Sequence, residues 1–294
     1  MTCNKRLAIP FASAPRLSPP LLSMPIRSGL LALVAFAAVG CGGGPTTFGS
    51  AQEAYDRGLA EYERGRYGLA IEYLRASLDF GRTSALADDA QLALARSYAA
   101  DRQYLLAGTE FTRFIEFYRT DDRIEQAAFE RIQAYAELSP RYELDQTDTR
   151  QALAYINIYL QQYPQSDNAV AAADLATELR EKLARKAFEA ARLYERREVY
   201  EAAVLDYQRV LEDYPASAYA DDALLGALRS QVAYADGSVL ERQVQRYREA
   251  LNLYDQLRTL FPQSPTLAEA EALYDVAYTR WQAAGGEGAT ATAQ

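Results

Sequence analysis

Few residues in this chain of 294 could do chemistry, because it contains no histidine and only two cysteines, Cys3 and Cys41. Without histidine, Ser-His-Asp and Cys-His catalysis, histidine-ligated zinc, non-haem iron triads and haem with an axial histidine are excluded. Two cysteines cannot supply a four-cysteine zinc or iron–sulfur site, and both lie in a segment with the pattern of a targeting sequence. We therefore expect no metal site, no cofactor and no disulfide framework.

Adjacent carboxylates are the remaining candidates for acid–base or metal chemistry. They occur as Asp88-Asp89, Asp121-Asp122 and Asp221-Asp222. Each pair lies where a helix is predicted to begin, and acids there complement the helix dipole and accept hydrogen bonds from free backbone N–H groups. This structural role accounts for all three pairs without catalysis.

The acids are predicted to lie on helices. Apolar residues recur at i, i+3, i+4 and i+7 from about residue 51 onward, which is the spacing of amphipathic helices. Residues 54–80, AYDRGLAEYERGRYGLAIEYLRASLDF, have the spacing of a tetratricopeptide repeat. In such a repeat, small residues lie where two antiparallel helices approach closely, and large residues fill the space between them. The residues that carry this spacing are Gly58, Tyr62, Gly65, Tyr67, Ala70, Tyr73, Leu74 and Leu78.

Four further units follow in the same phase. The second contains Ala95, Tyr98, Tyr104, Ala107, Phe111 and Phe114; the third contains Ile132 and Tyr135, is interrupted by residues 139–149 and resumes at Ala152; the fourth contains Ala191, Tyr194, Tyr200, Ala203 and Tyr207; the fifth pairs a helix over about 218–235 with one carrying Ala250, Tyr254 and Leu257. A last helix over about 266–283 would cap the stack. The predicted fold is therefore all-α, a right-handed superhelix of five tetratricopeptide-like helix pairs with a C-terminal capping helix.

Three units end in an aromatic residue, a proline and, two places later, a serine. Proline cannot continue a helix, and the residue before it is disfavoured in the α region. Ser166, Ser217 and Ser264 are therefore predicted to be the N-caps of the helices that follow. The basic run REKLARK, residues 180–186, is interpreted as a solvated helix face with i,i+4 pairs.

The first 40 residues have the pattern of a secretory signal. The apolar run at 29–40 is shorter than the about 20 residues that a spanning helix needs. The residues before Cys41, Ala38-Val39-Gly40, resemble a bacterial lipobox, which implies that Cys41 is lipidated and begins the mature chain. Gly42 after it implies sorting to the outer membrane. Translation starts at Met1 or at Met24, and the alternative interpretation is a plain secretory signal in which Cys41 has no role.

The charge and the remaining segments complete the predicted organisation. The formal net charge is −9, and residues 1–40 hold four basic residues and no acid, so the rest of the chain is more acidic than the whole. An acidic protein repels phosphate backbones, so no nucleic-acid partner is expected.

The predicted organisation has four segments after the signal. Residues 41–50 form a flexible tether, 51–165 an N-terminal half with repeats 1–3, 166–284 a C-terminal half with repeats 4–5 and the cap, and 285–294 a disordered tail.

A lipobox followed almost at once by five such units is similar to the BamD (YfiO-type) family of outer-membrane assembly lipoproteins. Residues 54–74, the interruption at Asp145-Gln146-Thr147 before a helix ending in Tyr163-Pro164-Gln165-Ser166, and residues 179–215 carry the resemblance. It implies a scaffold on the periplasmic face of the outer membrane, held there by its lipid alone, in the machinery that inserts β-barrel proteins. The C-terminal half would dock on POTRA domains of a BamA-type barrel, beside other BAM lipoproteins. The N-terminal half would receive C-terminal targeting strands of unfolded outer-membrane proteins.

Two sets of site residues follow. In a tetratricopeptide array the first helix of each unit lines the concave face, so the predicted peptide groove consists of Gln52, Tyr55, Leu59, Tyr62, Asp89, Leu92, Arg96, Gln126, Phe129 and Gln133. Its rings and one guanidinium suit an extended peptide with aromatic side chains and a terminal carboxylate; alternatively, the rings only pack against neighbouring helices. The resemblance places partner docking at Tyr200, Asp206 and Arg209, and the family often has arginine where this chain has Asp206.

Two other functions are alternatives for a chain with this sequence. One is another periplasmic tetratricopeptide lipoprotein, such as a pilotin for secretin assembly or a cell-envelope coordination factor, although such factors carry a coiled coil before the repeats. The other is an enzyme such as a peptidoglycan lyase, which needs a globular catalytic domain with a buried acid. No segment leaves the repeat pattern for long enough to form one. The sequence therefore predicts a non-catalytic scaffold.

Overall fold

The computed structural model describes residues 47–81 and 84–286. This part of the chain contains eleven α-helices and no β-strand. The helices are α1 (Ala51–Glu63), α2 (Tyr67–Asp79), α3 (Ala87–Ala100), α4 (Tyr104–Phe117), α5 (Ile124–Glu137), α6 (Thr147–Gln162), α7 (Ala169–Arg196), α8 (Tyr200–Asp213), α9 (Ala220–Asp236), α10 (Leu240–Leu260) and α11 (Leu267–Ala283). The predicted signal, Cys41, most of the tether and the tail from residue 287 lie outside the described residues. Within them, no helix combines the length and apolar character needed to cross a bilayer.

The helices form five antiparallel pairs, from α1–α2 to α9–α10, and α11 packs on α9 and α10 as a cap. The first helices of neighbouring pairs contact each other, as α1 and α3 do, and α5 and α7. They therefore form the inner layer of the stack, and the second helices form the outer layer. The predicted all-α superhelix with a C-terminal cap is confirmed.

Neighbouring pairs approach so closely that glycine is required at some crossings. A Cβ atom added to Gly226 of α9 would lie 2.4 Å from Cζ of Tyr207 on α8. Tyr207 is fully buried, and its hydroxyl donates a hydrogen bond to Glu195 at 2.6 Å, so packing and this bond hold the ring against Gly226. Burial, together with this bond to a carboxylate, raises the pKa of the Tyr207 hydroxyl. Gly108 of α4 meets the ring of Tyr135 in the same way, at 2.8 Å.

Three turns between paired helices share one conformation. Gly65, Arg102 and Glu198 all have φ values in the left-handed region, at 73°, 58° and 58°. In the first turn the N–H of Arg66 donates to the carbonyl of Glu61, which closes the end of α1 as a Schellman motif does. Glycine adopts this conformation without strain, and of these three turns only the first has a glycine.

The predicted N-caps were wrong by two residues. Helices α7, α9 and α11 are preceded by Asn168, Tyr219 and Thr266, none of which makes a side-chain cap bond. The N–H of Ser166 donates to the carbonyl of Tyr163, so a turn intervenes before α7 begins. The Ser166 hydroxyl then accepts a hydrogen bond from the N–H of Asn168 at 3.0 Å. Proline thus ends one helix, and serine stabilises the turn rather than the next helix.

The basic run on α7 does not form a simple solvated face, because two of its lysines hold the interruption between α5 and α6. The ammonium group of Lys186 donates to the carbonyls of Tyr142, Glu143 and Leu144 at 3.2, 3.3 and 2.7 Å. Lys182 donates to the Ser139 hydroxyl at 2.7 Å. The predicted i,i+4 pairs are replaced by bonds to a segment about 40 residues earlier in the chain, which periodicity within one helix cannot show.

Replacing Gly226 by alanine tests the close approach of α9 to α8. The added methyl group would overlap the Tyr207 ring, so we expect the free energy of unfolding to fall by about 1–3 kcal/mol, as overpacking of a filled core does. Denaturant unfolding followed by circular dichroism measures the change.

The matched control is Gly68→Ala on α2, where an added Cβ meets no atom within 4 Å. Its stability should be unchanged or slightly higher, since alanine favours the helix. Equal losses in both variants would contradict the interpretation of Gly226 as a residue required by packing.

Candidate functional site

Six of the ten predicted groove residues line one cavity between α1 and α3. The cavity has a volume of about 160 Å³, and its lining includes Tyr55, Leu59, Tyr62, Asp89, Leu92 and Arg96. The register of the two helices explains this, since residues three or four apart on one helix face the same neighbour. Arg123, just before α5, completes the wall and was not predicted from the sequence.

A second cavity of about 480 Å³ continues from the first towards α5. It shares Tyr62 and Arg96 with the first cavity and adds Gln126 and Gln133, with Tyr104 at its edge. Eight of the ten predicted residues therefore line a continuous groove over the inner layer of helices.

The two remaining predicted residues lie elsewhere. Gln52 is exposed, and its side-chain amide donates to Asp56 at 2.8 Å. Phe129 is buried, with its ring centroid 5.8 Å from that of Tyr159 on α6. Phe129 therefore belongs to the core between helices, which is the packing alternative raised for it from the sequence.

The guanidinium of Arg96 is already paired within the groove. Its Nε and Nη2 donate to the two carboxylate oxygens of Glu130 at 2.8 and 2.7 Å. This hydrogen bonding raises the pKa of Arg96. The side-chain amide of Gln126 donates to the same carboxylate at 3.0 Å. A terminal carboxylate of a peptide would thus have to displace Glu130, which differs from the sequence-based expectation of a free guanidinium.

Arg123 is paired as well, with three carboxylates. Its guanidinium donates to Asp88 at 3.0 Å, to Asp89 and to Asp121 at 2.7 Å. The Asp121 carboxylate also accepts from the backbone N–H of Arg123 at 2.8 Å. Hydrogen bonding to Arg123 lowers the pKa of Asp121 to about 2, so this carboxylate is ionised at neutral pH. The two groove arginines face more acids than they can neutralise, and the groove is acidic.

Four of the six adjacent carboxylates have structural partners, since Asp88, Asp89 and Asp121 bind Arg123, and Asp221 accepts a hydrogen bond from Ser264. Asp88 and Asp89 lie in the first turn of α3 as predicted, and Asp221 and Asp222 lie in the first turn of α9. Asp121 instead precedes α5, which begins at Ile124 after Arg123. Among residues 47–81 and 84–286, no group of three or more metal-ligating side chains is arranged to hold an ion.

One signal in the sequence could have revealed Arg123 and Glu130. Opposite charges on the inner layer recur at a spacing of 34 residues, as in Arg96 with Glu130 and Asp89 with Arg123. This is about the length of one repeat, so residues at this spacing meet across neighbouring first helices. A further pair, Arg229 with Glu195, has the same spacing and a distance of 3.0 Å.

The predicted docking residues lie on α8, in the outer layer. Tyr200 is the first residue of this helix and is half-buried. Asp206 accepts a hydrogen bond from Arg209 at 2.8 Å, and the Arg209 side chain is 67% exposed. Leu205 beside them is exposed, as is Val199 just before the helix. These five residues, called the α8 patch below, combine exposed apolar area with one ion pair.

The low pKa of Asp121 predicts how this cluster depends on pH. Because the folded-state pKa is below the ordinary value, the stabilisation is present above about pH 4 and is lost as pH falls towards 2. Asp121→Asn should therefore reduce stability at neutral pH by about 1–2 kcal/mol, a value limited by the solvent exposure of Arg123. Its unfolding curve should converge with that of the unsubstituted protein between about pH 4 and pH 2.

Asp174→Asn is the control, because Asp174 on α7 is exposed and makes no hydrogen bond or ion pair within the described part of the chain. Its thermal unfolding should follow the unsubstituted protein at every pH. A constant difference between Asp121→Asn and the unsubstituted protein from pH 7 to pH 2 would count against the assigned role of Asp121.

Comparison with known proteins gives one family and several structures. The model of the YfiO family, described as outer membrane lipoproteins, matches residues 49–234. No curated protein sequence matches the chain significantly. A tetratricopeptide-repeat protein from Bacteroides fragilis is similar at 12% identity and a TM-score of 0.43, covering 79% of this chain and 99% of that one. The TPR2AB domain of yeast Sti1, solved in a pHSP90 complex, is similar at 17% identity and a TM-score of 0.38, covering 78% of this chain and 98% of that one.

The family match extends over more than half of the chain, from the residues just before α1 to nearly the end of α9. It includes both groove cavities and the α8 patch. The chain belongs to the YfiO family of outer-membrane lipoproteins.

Proposed function

We propose that this protein is a non-catalytic scaffold of the machinery that folds and inserts β-barrel proteins into the outer membrane. The observation that carries the proposal is the family match over α1 to α9, on a fold that offers a groove on one layer and an exposed patch on the other. A stack of helix pairs of this kind acts through extended binding surfaces. Cofactors have no part in this function.

Membrane attachment is proposed to occur through lipid on Cys41, with the folded part on the periplasmic side. Each acyl chain contributes about 0.8 kcal/mol per buried CH₂ group, so several chains hold a protein stably at a bilayer. The chain that follows the anchor reaches the first repeat at Phe48, whose ring lies 5.1 Å from that of Tyr73 on α2. This contact makes Phe48 part of the first helix pair, so the proposed tether is the segment between Cys41 and Phe48.

Docking on the POTRA domains of a BamA-type barrel is proposed for the C-terminal half, residues 166–284, with the α8 patch as a contact surface. Exposed Leu205 and Val199 supply apolar area, and Arg209 supplies a guanidinium whose local partner leaves it largely accessible. Apolar anchors beside an arginine are typical of the residues that dominate binding energy. Other lipoproteins of the same machinery are proposed as further partners.

Two substitutions in the α8 patch test this docking, a charge reversal and the removal of a ring. Arg209→Glu and Tyr200→Ala should each weaken binding to the purified POTRA domains of the same organism at least tenfold, since hot-spot residues contribute about 2 kcal/mol or more. Biolayer interferometry at physiological salt measures the dissociation constant.

Arg113→Glu is the matched control, because Arg113 occupies the equivalent place on α4 and pairs with Glu110 at 2.6 Å, three residues earlier. It should leave the affinity unchanged. Recovery of a secretin, without binding to the POTRA domains, would instead support a pilotin and overturn the proposal.

The groove between α1, α3 and α5 is proposed to receive C-terminal targeting strands of unfolded barrel proteins. Tyr55, Tyr62 and Tyr104 present rings along it, and rings bind extended apolar peptides without needing charge. Because Arg96 and Arg123 are neutralised by local acids, the peptide is held by its side chains more than by its terminal carboxylate.

A peptide-binding assay separates the contribution of the peptide side chains from that of the terminal carboxylate. Tyr62→Ala, which alters both cavities, should weaken binding of an aromatic targeting peptide at least tenfold in fluorescence anisotropy. Amidation of the peptide C-terminus should change its affinity less than about twofold, since Glu130 already binds the groove guanidinium of Arg96 and Asp121 that of Arg123.

Gln52→Ala serves as the control, because Gln52 lies outside both cavities. A large loss on amidation, with no effect of Tyr62→Ala, would contradict the proposed mode of binding.

A further inference from the structure

Arg131, in the middle of α5, has a charge that no described residue neutralises. Its side chain is buried, with 9% exposed, and its Nε has no hydrogen-bond partner among residues 47–81 and 84–286. Its guanidinium carbon lies 4.7 Å from the ring centroid of Tyr155 on α6. Glu116 of α4 attracts it from a distance, and no ion pair to Arg131 is found in the described part of the chain.

Three other arginines of the inner layer differ in this respect. Arg96, Arg123 and Arg229 each bind at least one carboxylate at 2.7–3.0 Å, although all three are more exposed than Arg131. Burying a charge without a partner is strongly unfavourable, and the cost is greatest for the most buried group. An external partner would therefore have a larger effect at Arg131 than at these three arginines.

The surroundings of Arg131 cannot supply the missing negative charge. The rings of Tyr135 and Tyr155 stack, with centroids 4.5 Å apart and planes at 22°. Burial raises the pKa of Tyr135 to about 12, so its hydroxyl stays neutral at physiological pH. The rings thus form apolar walls around the guanidinium, and a charged partner has to come from outside.

Comparison with the preceding repeat shows what is missing. One residue before the buried Ala95 of α3 lies Leu94, and the equivalent place before Ile132 of α5 is occupied by Arg131. Three residues after the buried Ala107 of α4 lies Glu110, which accepts hydrogen bonds from Gln91 at 2.7 Å and Arg113 at 2.6 Å.

In the third repeat the place of Glu110, three residues after the buried Ala152 of α6, is taken by Tyr155. The third repeat therefore has an added cation where the second has leucine, and a ring where the second has a carboxylate.

We propose that Arg131 is an anion-binding residue that receives a carboxylate of a bound protein, at the place where α5 packs between α4 and α6. A planar carboxylate matches the fork of a guanidinium, and the Tyr155 ring keeps that fork in one orientation. The group is too deeply buried to touch the phosphates of a flat bilayer surface, whereas a protruding side chain or chain end of a protein can enter. The site does not depend on the peptide groove, to which Arg131 does not contribute.

The test is a titration of full-length ¹⁵N-labelled protein, in which NMR follows the Arg131 Nε–H signal. Two probes are used, the peptide acetyl-Gly-Glu-Gly-amide for a side-chain carboxylate and acetyl-Gly-Gly-Gly with a free C-terminus for a chain end. We expect a saturable shift with at least one probe, at least fivefold larger than that caused by chloride at equal ionic strength. The Arg96 Nε–H signal is the internal control, since Glu130 already occupies that guanidinium.

The peptide that binds more tightly shows whether the carboxylate comes from a side chain or from a chain end. Arg131→Lys keeps the charge but lacks the planar fork, so it should weaken binding at least tenfold when the ring signals of Tyr135 are followed. The proposal is overturned if neither peptide gives a saturable shift, if inorganic phosphate or chloride shifts the signal as much, or if the lysine variant binds equally well.

Discussion

Contact between a small residue on one helix and an aromatic ring on the next holds neighbouring helix pairs together, and the rest of the structure depends on it. Gly226 against Tyr207 and Gly108 against Tyr135 show how short this approach is. In a helical repeat each unit contacts only its neighbours, so every such contact sets the position of the units that follow. The spacing of the first helices, and therefore the width of the groove, is a consequence of these crossings.

Close spacing of the first helices also brings side chains one repeat apart into ion-pair range. Arg96 with Glu130, Asp89 with Arg123, and Glu195 with Arg229 are all 34 residues apart and bridge neighbouring pairs. These pairs stabilise the inner layer, but they also occupy the guanidinium groups that could otherwise bind a peptide carboxylate. The groove is consequently lined by rings and acids, which favours recognition of apolar side chains over that of a terminal carboxylate.

Arg131 stands apart from this pattern because its repeat supplies a cation without an acid. Because Arg131 is buried, an external carboxylate would contribute more binding free energy there than at Arg209, whose exposed guanidinium already pairs with Asp206. A scaffold of the YfiO family would thus have contacts of two kinds, exposed ones on the α8 patch and a recessed one between α4 and α6. Exposed charges act mainly on association rate and a buried pair mainly on dissociation, so the two kinds of contact would affect binding differently.

Periodicity and proline positions alone determined the five helix pairs, the cap and eight of the residues that line the groove, because these follow from spacing along one chain. Tyr55, Tyr62 and Arg96 were found in this way. Only the tertiary structure decided that Phe129 lies in the core, that Lys182 and Lys186 hold the interruption between α5 and α6, and that Arg96 is paired while Arg131 is not. The physical reason is that burial and ion pairing depend on residues about a repeat or more away, whose rotation about their own helices is fixed only when the pairs pack together.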